Sequence, residues 1–304
     1  MPAGNADAAT RKKAASVKRL TKMPVKASRP GPTRPSFGQL QGLRGTQDPL
    51  ELKSSVALVL DQDTGEVLVD KNSDAVLPIA SLTKLMTAMV AVEAGQALDE
   101  VLTISQEDVD TERGSRSRLR VGTQLTRGEM LHLALMASEN RAAHALGRNF
   151  PGGTDAFVAA MNKKAGDLGM ADSRYVEPTG LSSQNRSSAR DLAMLTRAAY
   201  DVALIRDLSV SPEYEVAVGR RNVHFRNTNA LVNNPTWEIG LQKTGYITEA
   251  GRCLVMQART AGRQLIFVFL DSTGKYSRLG DAERVRRWLI DSATSTAATL
   301  PLTS

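Results

Sequence analysis

Apolar positions along the chain change their period three times. Between Ser55 and Asp70, two β-rich runs at 55–60 and 66–70 flank Asp63-Thr64-Gly65, which predicts a hairpin. From Pro78 the spacing becomes three and four: Ile79, Leu82, Leu85, Met86, Met89 and Val90 form a helical stripe ending near Gly95. Further helical patterns follow in RGEMLHLALMA, NRAAHALGRNF, GTDAFVAAMNKKAGDLG and SARDLAMLTRAAYDV. The last has Ser188 as a predicted N-cap and Asp191 in its first turn. Strand runs return in YEVAV, WEIGLQKTG, RCLVMQART and QLIFVFLDS, the final two joined as a hairpin by a short glycine-containing loop. A terminal helix over about 278–292 carries Val285, Trp288, Leu289 and Ile290 on its apolar side. This order predicts an α+β fold. An antiparallel sheet is covered by the terminal helix and the helix of residue 81, with a helical insertion over about 96–215. A cleft is expected where insertion meets sheet.

Charge alters this picture only at the start of the chain. The formal net charge of +7 sits in residues 1–53, which hold eleven Lys/Arg and three Asp/Glu, while the remainder is slightly acidic. Residues 1–50, rich in Lys, Arg, Ala, Ser and Pro, are expected to be a disordered tail able to touch an anionic surface. With Phe37 as its only aromatic, the tail offers little for stacking on bases, and no nucleic acid partner is expected. Residues 51–293 are expected to form the folded domain, and 294–304 a short C-terminal tail. Cys253 is the sole cysteine, so no intramolecular disulfide is possible, and its apolar run points to a buried thiol. No stretch approaches transmembrane length, and the first 50 residues lack the apolar core of a secretory signal. Read literally that means cytoplasm; a removed signal reads the same way.

The candidate chemistry begins in PIASLTKLMTAMV. Ser81 and Lys84 stand at i and i+3, so on a helix they share a face and the amine reaches the hydroxyl. A serine hydroxyl needs an adjacent base, and lysine can serve only with a lowered pKa. The helix start would also favour negative charge developing at Ser81. The spacing alone proves little, because Ser272 and Lys275 share it in a glycine-containing loop. Two later elements separate the pairs. Ser138-Glu139-Asn140 lies between two helical patterns, whereas the similar Ser183-Gln184-Asn185 falls in a polar loop. Lys243-Thr244-Gly245 occurs once and ends a strand pattern, offering a cation, a hydroxyl and a glycine that lets a substrate backbone approach. His132, His144 and His224 lack zinc-like spacing, and neither a phosphate loop nor a Gly-x-Ser-x-Gly elbow is present. No metal and no cofactor is expected.

Together, and in this order, Ser-x-x-Lys, Ser-x-Asn and Lys-Thr-Gly resemble the low-molecular-mass penicillin-binding proteins that act as D,D-peptidases. The segments LMASENRAAHALGRNFPGG, DLGMADSRYVEPTGLSSQNRSSARDLAMLT, FRNTNALV and LQKTGYITEAGRCLVMQA extend the likeness over about residues 52–292, most closely to the D-alanyl-D-alanine endopeptidase branch. The resemblance implies a β-lactamase/transpeptidase-like fold, an antiparallel sheet flanked by helices beside a helical subdomain. It implies Ser81 as nucleophile towards a D-alanyl carbonyl, Lys84 as its base and Ser138 as proton relay. Asn140 would hold substrate or orient Lys84, and Lys243 would be the second cation. Thr244 would bind a substrate carboxylate beside Gly245, and the backbone N–H groups of Ser81 and Tyr246 would hold the oxyanion. The implied partners are peptidoglycan peptide stems, with β-lactam antibiotics as covalent inhibitors, and the implied place is the periplasm.

Three alternatives stand beside the endopeptidase. A D-alanyl-D-alanine carboxypeptidase uses the same chemistry, although many of that branch carry a further C-terminal β-domain and anchor. A class A β-lactamase would require a glutamate base with an asparagine four residues on; Glu177 is the candidate, but position 181 is Leu, and EPTGLS reads as a structural turn. A non-catalytic wall- or nucleic-acid-binding protein led by the basic tail would not need Ser81, Lys84 and Lys243 together.

Overall fold

The computed structural model describes residues 34–111 and 113–299, with side chains to residue 294. Strands β1 (Ser54–Asp61) and β2 (Val67–Lys71) form the expected hairpin. After the short β3 (Leu77–Pro78), a 3₁₀ turn at Ala80–Leu82 leads into α2 (Thr83–Glu93); a four-residue α1 (Phe37–Leu40) precedes them all. The ribbon β4 (Val101–Thr103) and β5 (Gln124–Thr126) introduces α3 (Arg127–Met136), α4 (Asn140–Arg148) and α5 (Gly153–Asp167). Next come β6 (Arg186–Ser187), α6 (Ala189–Tyr200), α7 (Ala203–Val210) and the ribbon β7 (Glu213–Val218) and β8 (Arg221–Arg226). The chain closes with β9 (Glu238–Ile247), β10 (Gly251–Thr260), β11 (Arg263–Ser272) and α8 (Ser277–Thr299).

The main sheet is antiparallel throughout, in the order β2-β1-β11-β10-β9. Side chains alternate between its faces, so a strand buried on both sides needs a continuous apolar run rather than alternation. In β11, Ile266, Val268 and Leu270 face the helical side, while Leu265, Phe267 and Phe269 face α8. The α8 layer is closed by Ala282, Val285, Leu289 and Trp237, the last edge-on to Phe267. A two-residue turn at Ala261 and Gly262, both with positive φ, joins β10 to β11 and matches the twist of the pair.

Three expectations are corrected. The Ser81 helix does not cover the sheet; α6 lies there, and α2 packs among α3, α4, α5 and α6, meeting the sheet mainly through its leading 3₁₀ turn. Every residue of α2 from Thr83 to Ala91 is buried, so its apolar stripe marks one side of a helix enclosed all round. Second, residues 34–50 of the expected disordered tail are docked on the body, while 1–33 lie outside the described residues. Composition missed this because polar contacts hold the segment. Ser36 and Gln39 form a capping box, the Phe37 N–H donates to the Glu249 carbonyl, and Asp48 pairs with Lys71 at 2.8 Å. A Cβ at Gly38 would overlap the Asp271 carboxylate, which also pairs with Arg44. Third, the terminal helix continues through 294–299, residues assigned to a C-terminal tail; 300–304 lie outside the described residues. Elements α1, β3 to β6, α7 and β8 go beyond the expected set.

One buried carboxylate ties α8 to the sheet. Asp281 accepts from the backbone N–H groups of Lys53 and Ser54, from the Ser54 hydroxyl at 2.6 Å, and from Arg284. Asp281→Ala would strand these donors and lower unfolding free energy by about 2–4 kcal/mol. Urea denaturation checks this: the midpoint should fall with an unchanged slope, and an unmoved midpoint would contradict the assignment.

Candidate active site

Burial of α2 forces each of its polar side chains to find an internal partner. The Thr83 hydroxyl donates to the Ala80 carbonyl at 2.8 Å, and that of Thr87 to the Pro178 carbonyl at 2.6 Å. Lys84, fully buried, directs its Nζ to three acceptors: Ser81 Oγ at 2.9 Å, Asn140 Oδ1 at 2.7 Å and the Thr179 carbonyl at 2.5 Å. These match the three N–H donors of an ammonium. Burial nevertheless pushes its pKa down to about 7, against the opposing pull of the Glu177 and Glu139 carboxylates. Once Nζ loses a proton, its lone pair must meet an O–H. Asn140 Oδ1 and the Thr179 carbonyl can only accept, so only the Ser81 hydroxyl can face that lone pair. The neutral amine is therefore a base aimed at Ser81.

The remaining predicted residues close around this pair. Ser138 sits in the loop between α3 and α4 with φ +60, and Asn140 is the first residue of α4. Asn140 Nδ2 donates to Ser115 Oγ at 3.1 Å, which sets its Oδ1 towards Lys84. Lys243 on β9 donates to Ser138 Oγ and to the Thr244 carbonyl, each at 2.9 Å. Its amine is held well below the ordinary lysine value by burial, reinforced by Lys84 and Arg278. Burial is the first cause for both lysines. Thr244 pairs with Thr228 at 2.6 Å between hydroxyl oxygens, and Tyr246 is exposed beside them. Ser81, Ser138, Thr228, Thr244, Gly245, Tyr246 and Arg278 line one open cleft of about 250 Å³.

Glycine has a further use here within the protein itself. A Cβ at Gly245 would lie 3.0 Å from both the Ser81 nitrogen and the Ile79 carbonyl oxygen. The close approach is that of β9 to the Ser81 turn, within the protein itself. Gly180, at φ +83, meets the same turn from the other side, where a Cβ would overlap the Ala80 carbonyl. Ala80 itself holds φ +48, a strained conformation for alanine that these neighbours enforce. Ser81 thus lies in the 3₁₀ turn ahead of α2 and does not cap that helix, whose N-cap residue is Leu82, with no side-chain cap bond.

Glu177 is spent on structure. Its carboxylate accepts from the N–H groups of Thr179 and Gly180, the Thr179 hydroxyl and Asn185 Nδ2. This knot shapes the turn that delivers the Thr179 carbonyl to Lys84, as a structural reading of EPTGLS requires. Asn185 of the decoy loop is fully buried and serves the same knot. Sequence reasoning missed Thr179, Thr228 and Arg278. The first acts through its backbone, and the second lay unremarked within FRNTNALV. Arg278 opens α8 with its Nε unpartnered and Nη1 on the Lys275 carbonyl. It lines the cleft though nearly buried, and stays charged at physiological pH although burial and Arg252 press its pKa down.

The chain as a whole is similar to known proteins. Residues 44–274 match the family described as D-alanyl-D-alanine carboxypeptidase, Peptidase_S11. A D-alanyl-D-alanine endopeptidase of Pseudomonas aeruginosa is 54% identical over 241 residues, 79% of this chain and 78% of that protein. One from Escherichia coli is 44% identical over the same shares. The solved DD-transpeptidase of Streptomyces K15 superposes with a TM-score of 0.73 at 25% identity, covering 80% of this chain and 98% of that one. Penicillin-binding protein D2 of Listeria monocytogenes, solved in its cefotaxime-bound form, gives 0.69 at 27% identity, over 78% and 97% of the two chains.

Two outcomes are expected. Acylation of Ser81 by a chromogenic β-lactam should rise with pH to a plateau above about 7 and fall by about tenfold per unit below it, because Lys84 must be neutral; a rate independent of pH from 5 to 9 would contradict this. Gly245→Ala should slow acylation by about tenfold or more by shifting the Ser81 turn a few tenths of an ångström. Its thermal midpoint should move little, and unchanged acylation would show that the turn tolerates the displacement.

Proposed function

The chain belongs to the D-alanyl-D-alanine carboxypeptidase family, and we propose that it is a serine D,D-endopeptidase cutting D-alanyl crosslinks of peptidoglycan through an acyl-enzyme on Ser81. The observation that carries the mechanism is the coordination of Lys84, which leaves Ser81 as the only partner able to give the amine a proton. Ser81 Oγ attacks the D-alanyl carbonyl as Lys84 Nζ takes its proton. The backbone N–H groups of Ser81 and Tyr246 hold the oxyanion. Ser138, accepting from Lys243, passes its hydroxyl proton to the leaving amine and recovers one from the Lys84 ammonium, so Lys84 is neutral again to take a proton from the attacking water. Arg278 and the Thr228–Thr244 hydroxyl pair receive the carboxylate that neighbours the leaving nitrogen in a D-alanine terminus or a crosslink. Water then releases the acyl group. The names of the Pseudomonas and Escherichia relatives favour endopeptidase over carboxypeptidase action.

A wall substrate places the working enzyme outside the cytoplasmic membrane, in the periplasm. Among the described residues, no helix is long and apolar enough to cross a membrane. Contact with an anionic wall or membrane surface is assigned to residues 1–33 on their charge alone, eight Lys/Arg against Asp7. β-Lactams should acylate the same serine, in keeping with the cefotaxime-bound relative.

Digestion of purified muropeptides tests the reading. Crosslinked dimers should fall to monomers, with activity and fluorescent-penicillin labelling both lost in Ser81→Ala. Pentapeptides losing D-alanine while dimers survive would make the protein a carboxypeptidase, and persistent labelling of Ser81→Ala would remove the nucleophile.

A further inference from the structure

A second cleft, of about 680 Å³, lies between residues 117–123 and the β7–β8 ribbon. Four arginines border it: Arg118 and Arg120 on the loop, Arg220 and Arg221 at the ribbon's turn. Residues 113–123 hold four arginines and no carboxylate, although the chain beyond residue 53 is slightly acidic overall. Strand alternation puts Arg221 and Val223 on the inward face of the ribbon, opposite Val218 and Val216. Arg118 is fixed in place: its guanidinium lies 3.7 Å from the centre of the Phe225 ring, and it donates to the His224 carbonyl. Its nearest carboxylate, Glu139, is 4.0 Å away. Arg120, Arg220 and Arg221 are exposed, and none has a carboxylate within salt-bridge distance among the described residues. Like charges gathered across one cleft repel unless an anion enters.

The cleft connects to the reacting centre at both walls. Ser117 donates to Glu139 at 2.6 Å, between Ser138 and Asn140 in sequence. On the ribbon side, β8 runs from Arg221 to Arg226 and leads to Thr228 in the catalytic cleft. The six residues from Val223 to Thr228 span roughly 17 Å if extended, the reach of a peptide of similar length. Thr228 stands with Arg278 on the side proposed for the leaving group, so the arginine cleft continues that side.

We propose that this cleft binds an acidic peptide strand: the wall stem that departs with the leaving amine of a crosslink, held through its free carboxylates. The inference rests on the endopeptidase reading, since a carboxypeptidase substrate has a single D-alanine beyond the scissile bond and nothing to occupy the cleft. Arginine recognises carboxylates in a planar, two-pronged fashion, and the apolar walls at Val121, Val218 and Val223 accommodate the stem's aliphatic parts.

The test compares full-length Ser81→Ala protein with the same protein carrying Arg120→Gln, Arg220→Gln and Arg221→Gln, titrated calorimetrically with a purified crosslinked muropeptide dimer. The triple change should weaken dimer binding by about tenfold or more, and added salt should weaken the parent far more than the triple variant. With Ser81 intact, the triple variant should show a raised KM for dimers, unchanged kcat and unchanged labelling by fluorescent penicillin. Equal dimer affinity in the two Ser81→Ala proteins would overturn the proposal. So would loss of binding to phosphatidylglycerol vesicles with dimer affinity intact, which would assign the arginines to a membrane surface. Cleavage is read separately: parent enzyme that leaves dimers uncut defeats the endopeptidase reading, whereas the affinity difference alone decides the cleft.

Discussion

A lysine amine buried in the first turn of α2 is the constraint from which the rest of the site follows. Removing Lys84 from water disfavours its ammonium form, and a pKa brought to about 7 corresponds to roughly 5 kcal/mol against charging. Its three hydrogen bonds make the buried amine tolerable, and the identity of their acceptors decides its chemistry. Two are pure acceptors and one is a hydroxyl, so losing a proton turns Lys84 into a base for Ser81 and for nothing else. Lys243 stands behind Ser138 as a second buried amine, and Lys84 adds to burial in disfavouring its charge.

Holding that geometry engages distant parts of the chain. The Glu177 knot presents the Thr179 carbonyl, and Ser115 turns Asn140. Gly180 and Gly245 let two segments press on the strained Ala80–Ser81 turn from opposite sides. The sheet supplies Lys243, Thr244 and Gly245 from β9, while Asp281 fixes the start of α8 and with it Arg278. The groups of the site therefore come from both the sheet and the helical part, which is why the cleft forms between them.

Much of this was legible in the chain. The β1–β2 and β10–β11 hairpins and helices α2 to α6 follow from periodicity and turn residues. Ser81, Lys84, Ser138, Asn140, Lys243, Thr244, Gly245 and Tyr246 were all named from motifs, and the structure gathers them round one cleft. What escaped did so for physical reasons. The Thr179 carbonyl carries no side-chain signature, and the segment at 34–50 is held by caps and ion pairs that composition does not register. An apolar stripe cannot distinguish a helix buried on one side from α2, buried on all. Arg278 is far in sequence from every motif and joins them only through the packing of α8 against the sheet.

The most direct test is to titrate the two site lysines themselves, following the side-chain carbons of isotopically labelled Lys84 and Lys243 by NMR, with Lys84→Arg and Lys243→Arg proteins to assign the signals. Lys84 should titrate near 7, far below the surface lysines, and its signal should shift when Ser81 is acylated. A Lys84 amine that stays protonated up to pH 10 would contradict the base assigned to Ser81.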